Sequence, residues 1–203
     1  MEQISDLEVI QMIRNGDRKA YSLLVRRHQK SLLRLSVRFV KDMDAAEDIV
    51  QESFIKAFER LASFEARSSF RSWLFQIAIN TAKNKLRSRR DEINDVENLP
   101  LAVAAIAETG LLHSAVADLI QKHVDQLPFK QKTALTLRIY EDLSFKEIAE
   151  IMDCPYDTAK ANYRHALMRL REELQTQEDL KQWTEEVGGF FMEFEKRTAE
   201  VES

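Results

Sequence analysis

Apolar residues recur along this chain at intervals of three and four, and no stretch keeps the period of two that a half-buried strand needs. The pattern therefore predicts helix throughout and essentially no sheet. Leu7, Ile10 and Ile13 open a short first helix that Gly16 can end, and Asp17 is placed to cap a longer second one carrying Tyr21, Leu24, Leu32, Leu35 and Phe39. Asp44 and Glu47 have capping-box spacing, with Asp in place of the usual Ser or Thr. They predict a third helix along Ile49, Ser53, Phe54 and Phe58 to Leu61. The Ser68-Ser69 pair begins a fourth helix, over about residues 70–88.

From Asp91 the pattern lapses. Asp91, Glu92, Asp95, Glu97 and Glu108 occur with no Lys or Arg before Lys122, beside Pro100 and Gly110, which reads as a flexible acidic linker over 91–111. A second compact unit is predicted over 112–174, with Val116, Leu119, Ile120 and Val124 as one helical stripe, a break at Pro128 and a helix over 130–140. Ser144 and Glu147 then form a Ser-x-x-Glu capping box for a short helix that buries Ile148, Ala149 and Ile151. It stops at Asp153-Cys154-Pro155, because Pro155 disfavours a helical backbone for Cys154. A longer helix follows over 156–174, bearing Lys160, Asn162, Tyr163, Arg164, His165, Arg169 and Arg171. Any pair of packed helices shares part of this pattern. The cap, the tight turn and the basic second helix together favour a DNA-binding helix-turn-helix, with Lys160 and Arg164 one turn apart.

Charge changes the picture by its distribution. Residues 1–171 hold 27 Lys/Arg against 24 Asp/Glu, a net of +3, while residues 172–203 hold 3 against 10, a net of −7. The net charge of −4 therefore belongs to the tail, and a locally basic face can still attract a polyanion, because fields act within a Debye length of about 8 to 10 Å. From Arg67 to Arg90 there are seven basic residues and no Asp or Glu, with Phe64 just ahead of the segment and Phe70, Trp73 and Phe75 threaded through it. Cations attract a phosphate backbone and aromatic faces stack on bases, so the segment reads either as a contact for opened nucleic acid or as a core helix with a solvated basic end.

One cysteine, Cys154, excludes an internal disulfide, and four scattered histidines give no metal-ligand spacing; no cofactor is expected. The sequence offers no nucleophile-base pair or Gly-rich phosphate loop, so an enzyme is disfavoured. Residues 1–9 are polar and acidic, and the longest apolar run is too short to span a bilayer. A cytoplasmic protein without a membrane span is the expectation.

The motifs Asp48-Ile49-Val50-Gln51-Glu52-Ser53-Phe54, Ser72-Trp73-Leu74-Phe75-Gln76-Ile77-Ala78-Ile79-Asn80, Leu127-Pro128 and Leu143-Ser144-Phe145-Lys146-Glu147-Ile148-Ala149 stand in an order and at separations that resemble bacterial extracytoplasmic-function sigma factors. The likeness covers roughly residues 5–172. It implies an all-α fold of two small helical domains: sigma region two over 1–90, docking on polymerase and melting the minus-ten element, and sigma region four over 112–174, reading the minus-thirty-five element. A C-terminal helical extension over 175–203 lies beyond it.

The implied activity is promoter-specific transcription initiation, in a stress or envelope response. Implied partners are core RNA polymerase, through its beta-prime clamp helices and beta flap, promoter DNA, and an anti-sigma factor of the kind common in the family. The resemblance implies polymerase contact by Asp48, Gln51, Glu52 and Phe54. A flipped non-template base would be received by Lys56, Phe64, Ile77 and Asn80, with Trp73 at the edge of the melted strand and phosphate support from Lys83, Arg87 and Arg90. Thr158, Lys160, Asn162, Arg164 and His165 would serve the minus-thirty-five element. Arg60 departs from the small residue often found beside the family's base pocket, and the stretch after Pro155 lacks the family's frequent Gly and Val. A helix-turn-helix regulator acting without polymerase is the alternative reading. In the tail, Leu180, Trp183, Val187, Phe190, Phe191 and Phe194 recur at helical spacing on an acidic background, an apolar stripe that needs a cover.

Overall fold

A computed structural model describes residues 4–93 and 120–175, with side chains through Ser88 and again from Ile120 to Leu174. The described residues are helical and contain no strand. Most of the expected linker, Val116, Leu119 and the aromatic tail lie outside them.

Helix α1 (Asp6–Arg14) starts at a capping box between Ser5 and Glu8 that the apolar pattern alone did not single out. The Ser5 side chain first, and then the Ser5 amide, which donates to Glu8 at 2.6 Å, hold the Glu8 carboxyl below its ordinary pKa range. Asp17 caps a single 3-10 turn, Arg18–Ala20, and α2 (Tyr21–Val40) continues from it without a side-chain cap of its own. Helix α3 (Met43–Glu59) begins just ahead of the expected Asp44. Asp42 is the cap, its carboxylate accepting from the Ala45 amide at 2.7 Å. The reason is backbone: Lys41 turns left-handed at φ 55°, which leaves Asp42 extended and able to bend over the helix start. Helix α4 (Phe70–Ile93) follows Ser69, whose hydroxyl accepts from the Ser72 amide at 3.0 Å, and runs five residues past the expected end at 88.

Helices α2, α3 and α4 pack on one another around Leu24, Leu32, Leu35, Ile49, Leu74 and Phe75. Asp6 ties α1 to α2 through Arg27 and His28, both at 2.7 Å. Arg14 reaches from α1 to the carbonyl oxygens of Leu61, at 3.1 Å, and Phe64, and so pins the turn that delivers Phe64 to the core.

The second unit comprises the helical stretch 120–126 (α5), α6 (Phe129–Tyr140), α7 (Phe145–Met152) and α8 (Tyr156–Gln175). Helix α6 is its hub and packs on both α7 and α8. Lys132, Thr133, Thr136 and Arg138 are buried along it, against the polar look of their letters. Two of them find carbonyl partners nearby: the Thr133 hydroxyl donates to the Phe129 carbonyl at 2.7 Å, and Arg138 donates to the Leu143 carbonyl at 2.9 Å.

The sequence pattern divides the chain into two units, and in the structure the described parts of those units touch. Phe39, at the end of α2, packs at a tilt against Phe129 with ring centres 5.3 Å apart, and the Arg38 guanidinium lies 3.3 Å from the Tyr140 ring centre. Asp125 sits between Lys41 and Lys132. On the other side of the contact, Arg71 of α4 pairs with Glu141 at 2.5 Å, and Gln76 donates to the Glu150 carbonyl of α7 at 3.4 Å. Periodicity cannot anticipate such a contact, because its residues also serve the faces of their own helices.

Candidate nucleic-acid interface

Helix α4 carries the expected minus-ten residues other than Lys56, on α3, and Phe64, in the preceding turn, and its two faces divide them. Asn80, Lys83 and Arg87 are exposed at spacings of three and four, so they share one face, and no carboxylate interrupts it. The Arg90 side chain lies outside the described residues. Lys85, on a neighbouring side of the helix, is tied to Asp48 of α3 at 2.7 Å.

The buried face corrects the first reading of this segment. Phe64, Phe70 and Phe75 are 4, 2 and 0 % exposed, core residues rather than stacking platforms. Phe64 meets Phe70 edge-on at 6.1 Å and Trp73 at 5.0 Å, an arrangement in which each ring covers the next. Of the four aromatics only Trp73 keeps surface, at the rim of this cluster. Phe64 and Ile77, expected as walls of a base pocket, are both buried, Ile77 at 7 %. They belong to the layer beneath the surface because they lie on the side of α4 and its preceding turn that faces α2 and α3.

Lys56 is half-buried, and its ammonium is already occupied: it donates to the Thr81 hydroxyl at 3.1 Å and pairs with Glu52 at 2.5 Å. A phosphate reaching Lys56 therefore competes with Glu52.

On α3, Asp48, Gln51 and Glu52 are exposed as expected for a docking face, but Phe54 is not. It is 7 % exposed and faces Tyr21 edge-on at 6.3 Å. The Tyr21 hydroxyl donates to the Phe54 carbonyl at 2.6 Å, and burial pushes that hydroxyl's pKa upward. The apolar surface on this helix is instead supplied by Ile55, 59 % exposed, and Phe58, 37 % exposed, which the sequence reading did not select as contacts. A signal was present: Gln51, Ile55 and Phe58 follow the same three-four spacing as the exposed polar residues.

In the second unit, the Ser144 hydroxyl accepts from the Glu147 amide at 3.3 Å while the Ser144 amide donates to Glu147 at 2.9 Å, which completes the expected capping box. Asp153 ends α7 in the left-handed region at φ 49°. Cys154 is half-buried, and desolvation raises its thiol pKa. Helix α8 buries Ala159, Tyr163, Ala166 and Leu170 and leaves Arg164 and His165 outside. Thr158 and Lys160 are partly exposed near its start. Asn162 is turned back on its own helix, donating to the Thr158 carbonyl at 2.8 Å, so it reaches a base edge only by giving up that bond.

The two helical units each match a known family description. The family description Sigma-70 region 2 fits residues 24–92, and Sigma-70, region 4 fits residues 117–170. The RNA polymerase sigma-H factor of Pseudomonas aeruginosa is 37 % identical over 186 residues, 86 % of this chain and 96 % of that protein. The ECF RNA polymerase sigma-E factor of Haemophilus influenzae is 37 % identical over 86 % of this chain and 97 % of its own length. The chain belongs to the extracytoplasmic-function sigma factors. Among solved structures, the sigma factor RpoE of Bartonella quintana, in complex with the anti-sigma factor NepR, superposes with a TM-score of 0.60 at 26 % identity, covering 77 % of this chain and 98 % of its own.

Sigma factors are transcription initiation factors, and this one directs promoter-specific initiation by RNA polymerase. The helix-turn-helix of this sigma factor is α7–α8, inside the region-four match, and α4 lies inside the region-two match. Among the described residues no cluster of His, Cys, Asp or Glu could hold a metal, and no helix is long and apolar enough to cross a membrane.

Proposed function

We propose that this sigma factor grips polymerase and promoter through three helix faces, with residues 1–90 and 112–174 as its working domains and 91–111 as the acidic strap between them. Asp48, Gln51 and Glu52 of α3, with Ile55 and Phe58 supplying apolar surface, dock on the clamp helices of the beta-prime subunit. Phe54 contributes from beneath by fixing the helix against Tyr21. The region-four unit contacts the beta flap. The chemistry of RNA synthesis belongs to the polymerase, and the sigma factor acts in the cytoplasm without catalysis of its own.

At the minus-ten element, Lys83 and Arg87, with Arg90 beyond them, hold phosphates of the opened strand. Asn80 both donates to and accepts from the edge of the flipped base, and the exposed edge of Trp73 covers the junction with the duplex. Phe64 and Ile77 stiffen the floor. Unstacking costs a few kcal/mol per step, and stacking on a protein aromatic returns about 1 to 3 kcal/mol per base, so charge support decides whether the open state is held. The row Asn80, Lys83, Arg87, exposed and uninterrupted by carboxylates, is the observation that carries this reading.

At the minus-thirty-five element, Arg164 and His165 read the major groove, Lys160 assists, and Thr158 and the helix start meet a phosphate. Because the related RpoE was solved with an anti-sigma factor, a partner of that kind is proposed here as well, with an envelope or stress signal upstream. Run-off transcription with reconstituted core polymerase on a promoter library tests the whole. Promoter-dependent transcripts with an open minus-ten segment are expected. A protein that binds duplex DNA alone and supports no transcript refutes it.

A further inference from the structure

Away from the faces assigned above to DNA, the start of α2 and the end of α3 enclose an open groove of about 790 Å³. Its floor is apolar: Tyr21, Val25 and Phe58, with the Tyr21 and Phe58 rings packed edge to face at 4.9 Å. Its rim is cationic: Arg18, Lys19 and Arg26. All three are exposed, none makes an ion pair among the described residues, and no carboxylate lines the groove. The nearest acid in sequence, Asp17, is spent capping the Lys19 amide at 3.1 Å. Such a surface fits a segment that offers aromatic side chains and negative charge together.

The chain contains such a segment. Residues 176–203 hold eight Asp/Glu against three Lys/Arg, a net of −5, and include Trp183, Phe190, Phe191 and Phe194, each within three residues of a glutamate. Aromatic groups in that number are unfavourable to leave in water, and each returns about 25 cal/mol for every Å² it buries. Reach is no obstacle. Twenty-eight residues extend to about 90 Å, while a body of the described size has a radius of gyration of about 15 Å.

We propose that the C-terminal segment 176–203 docks in the groove between Arg18 and Phe58, its phenylalanines on Tyr21, Val25 and Phe58 and its glutamates against Arg18, Lys19 and Arg26. Phe58 also belongs to the face proposed for polymerase, so a docked tail and the clamp helices exclude one another there. That consequence alone rests on the docking face proposed above.

A photo-crosslinking phenylalanine analogue at position 191 of the full-length chain, followed by peptide mapping, tests the placement. The expected adducts fall within residues 18–26 or 55–60. They should drop at least tenfold in the triple variant Arg18→Glu, Lys19→Glu, Arg26→Glu, which changes only exposed side chains and whose helicity is checked by circular dichroism, and they should fall with added salt. Adducts on the region-four helices, adducts only between two copies of the chain, or adducts indifferent to the triple variant overturn the proposal. Adding core polymerase separates the two claims. Disappearance of the adduct upon binding supports competition at Phe58, whereas an adduct that persists in the bound complex keeps the tail in its groove and removes Phe58 from the polymerase face.

Discussion

Two neighbouring residues on α3 make opposite predictions. Phe54 is 7 % exposed and wedged against Tyr21, while Ile55, the next residue, is 59 % exposed. Truncating Phe54 to Ala removes a buried ring and leaves a cavity, which costs about 3 to 5 kcal/mol. For a protein of this size that lowers the melting temperature by roughly 6 to 20 °C. Phe54→Leu, which keeps most of the volume, should cost less than about 1.5 kcal/mol and leave polymerase affinity intact at a temperature where the protein stays folded. Ile55→Ala should change stability by less than about 0.5 kcal/mol. It should nevertheless weaken polymerase binding. Burying an isoleucine completely is worth about 1.5 to 3 kcal/mol, and slightly more than half of this one is still open to a partner, so the variant forgoes about 1 to 1.8 kcal/mol, or roughly 5- to 20-fold in Kd. Differential scanning calorimetry measures the stability effects, and fluorescence anisotropy of labelled sigma factor against core enzyme measures the binding. The reasoning fails if Phe54→Leu weakens binding as much as Ile55→Ala while fully folded, or if Ile55→Ala binds like the parent.

Other perturbations probe other parts of the structure. Lys132 is buried and its pKa is pushed down to about 8 from the ordinary 10.5, so between those values the unfolded chain binds more protons than the native one and stability rises with pH. Denaturant melts should show a gain of about 1.4 kcal/mol per pH unit across that window that is absent in Lys132→Met. Glu141, whose side chain is 4 % exposed, is paired with an Arg71 that is 35 % exposed, so solvent screens part of the interaction. Glu141→Gln should therefore destabilise by about 1 to 3 kcal/mol in thermal melts, less than for a fully enclosed pair. Neutralising Lys83 and Arg87 to Gln should make holoenzyme-promoter binding less sensitive to salt: in filter binding, the slope of log K against log salt should shrink by about 0.7 to 0.9 for each phosphate left without its cation. Glu52→Gln releases the Lys56 ammonium from its ion pair, and with core polymerase saturating, so that the charge lost from the docking face does not limit assembly, promoter opening followed by permanganate reactivity should tolerate more salt than in the parent.

Much of this was legible in the letters. The three-four recurrence of Leu24, Leu32, Leu35 and Phe39 fixes which side of α2 is apolar, and Ser144 with Glu147 fixes where α7 begins, because both signals act within a few turns of backbone. The exposed row Asn80, Lys83, Arg87 and the exposed pair Arg164, His165 were readable for the same reason: a residue on the polar side of an amphipathic helix has few alternatives to solvent. Local chemistry also left near-degenerate choices. Asp42 and Asp44 are equally able to cap α3, and only the left-handed turn at Lys41 selects between them.

Tertiary structure decided what composition could not. Phe64, Phe70 and Phe75 stand among cations in sequence yet face the core, because α4 meets α2 and α3 on that side and the basic residues lie on the other. Phe54 and Ile55 exchange roles for the same reason, a rotation of about 100° around one helix axis. Thr133 tolerates burial because its hydroxyl bonds the carbonyl one turn back in its own helix, whereas Arg138 does so because the chain turns after Tyr140 and brings the Leu143 carbonyl to its guanidinium. The contact of Phe39 with Phe129 and of Arg71 with Glu141 joins residues 90 and 70 positions apart in the chain, and periodicity extends over only a few turns. Pattern sets the helices and their amphipathic sides; which side meets which depends on how three-dimensional packing shares a limited apolar surface among them.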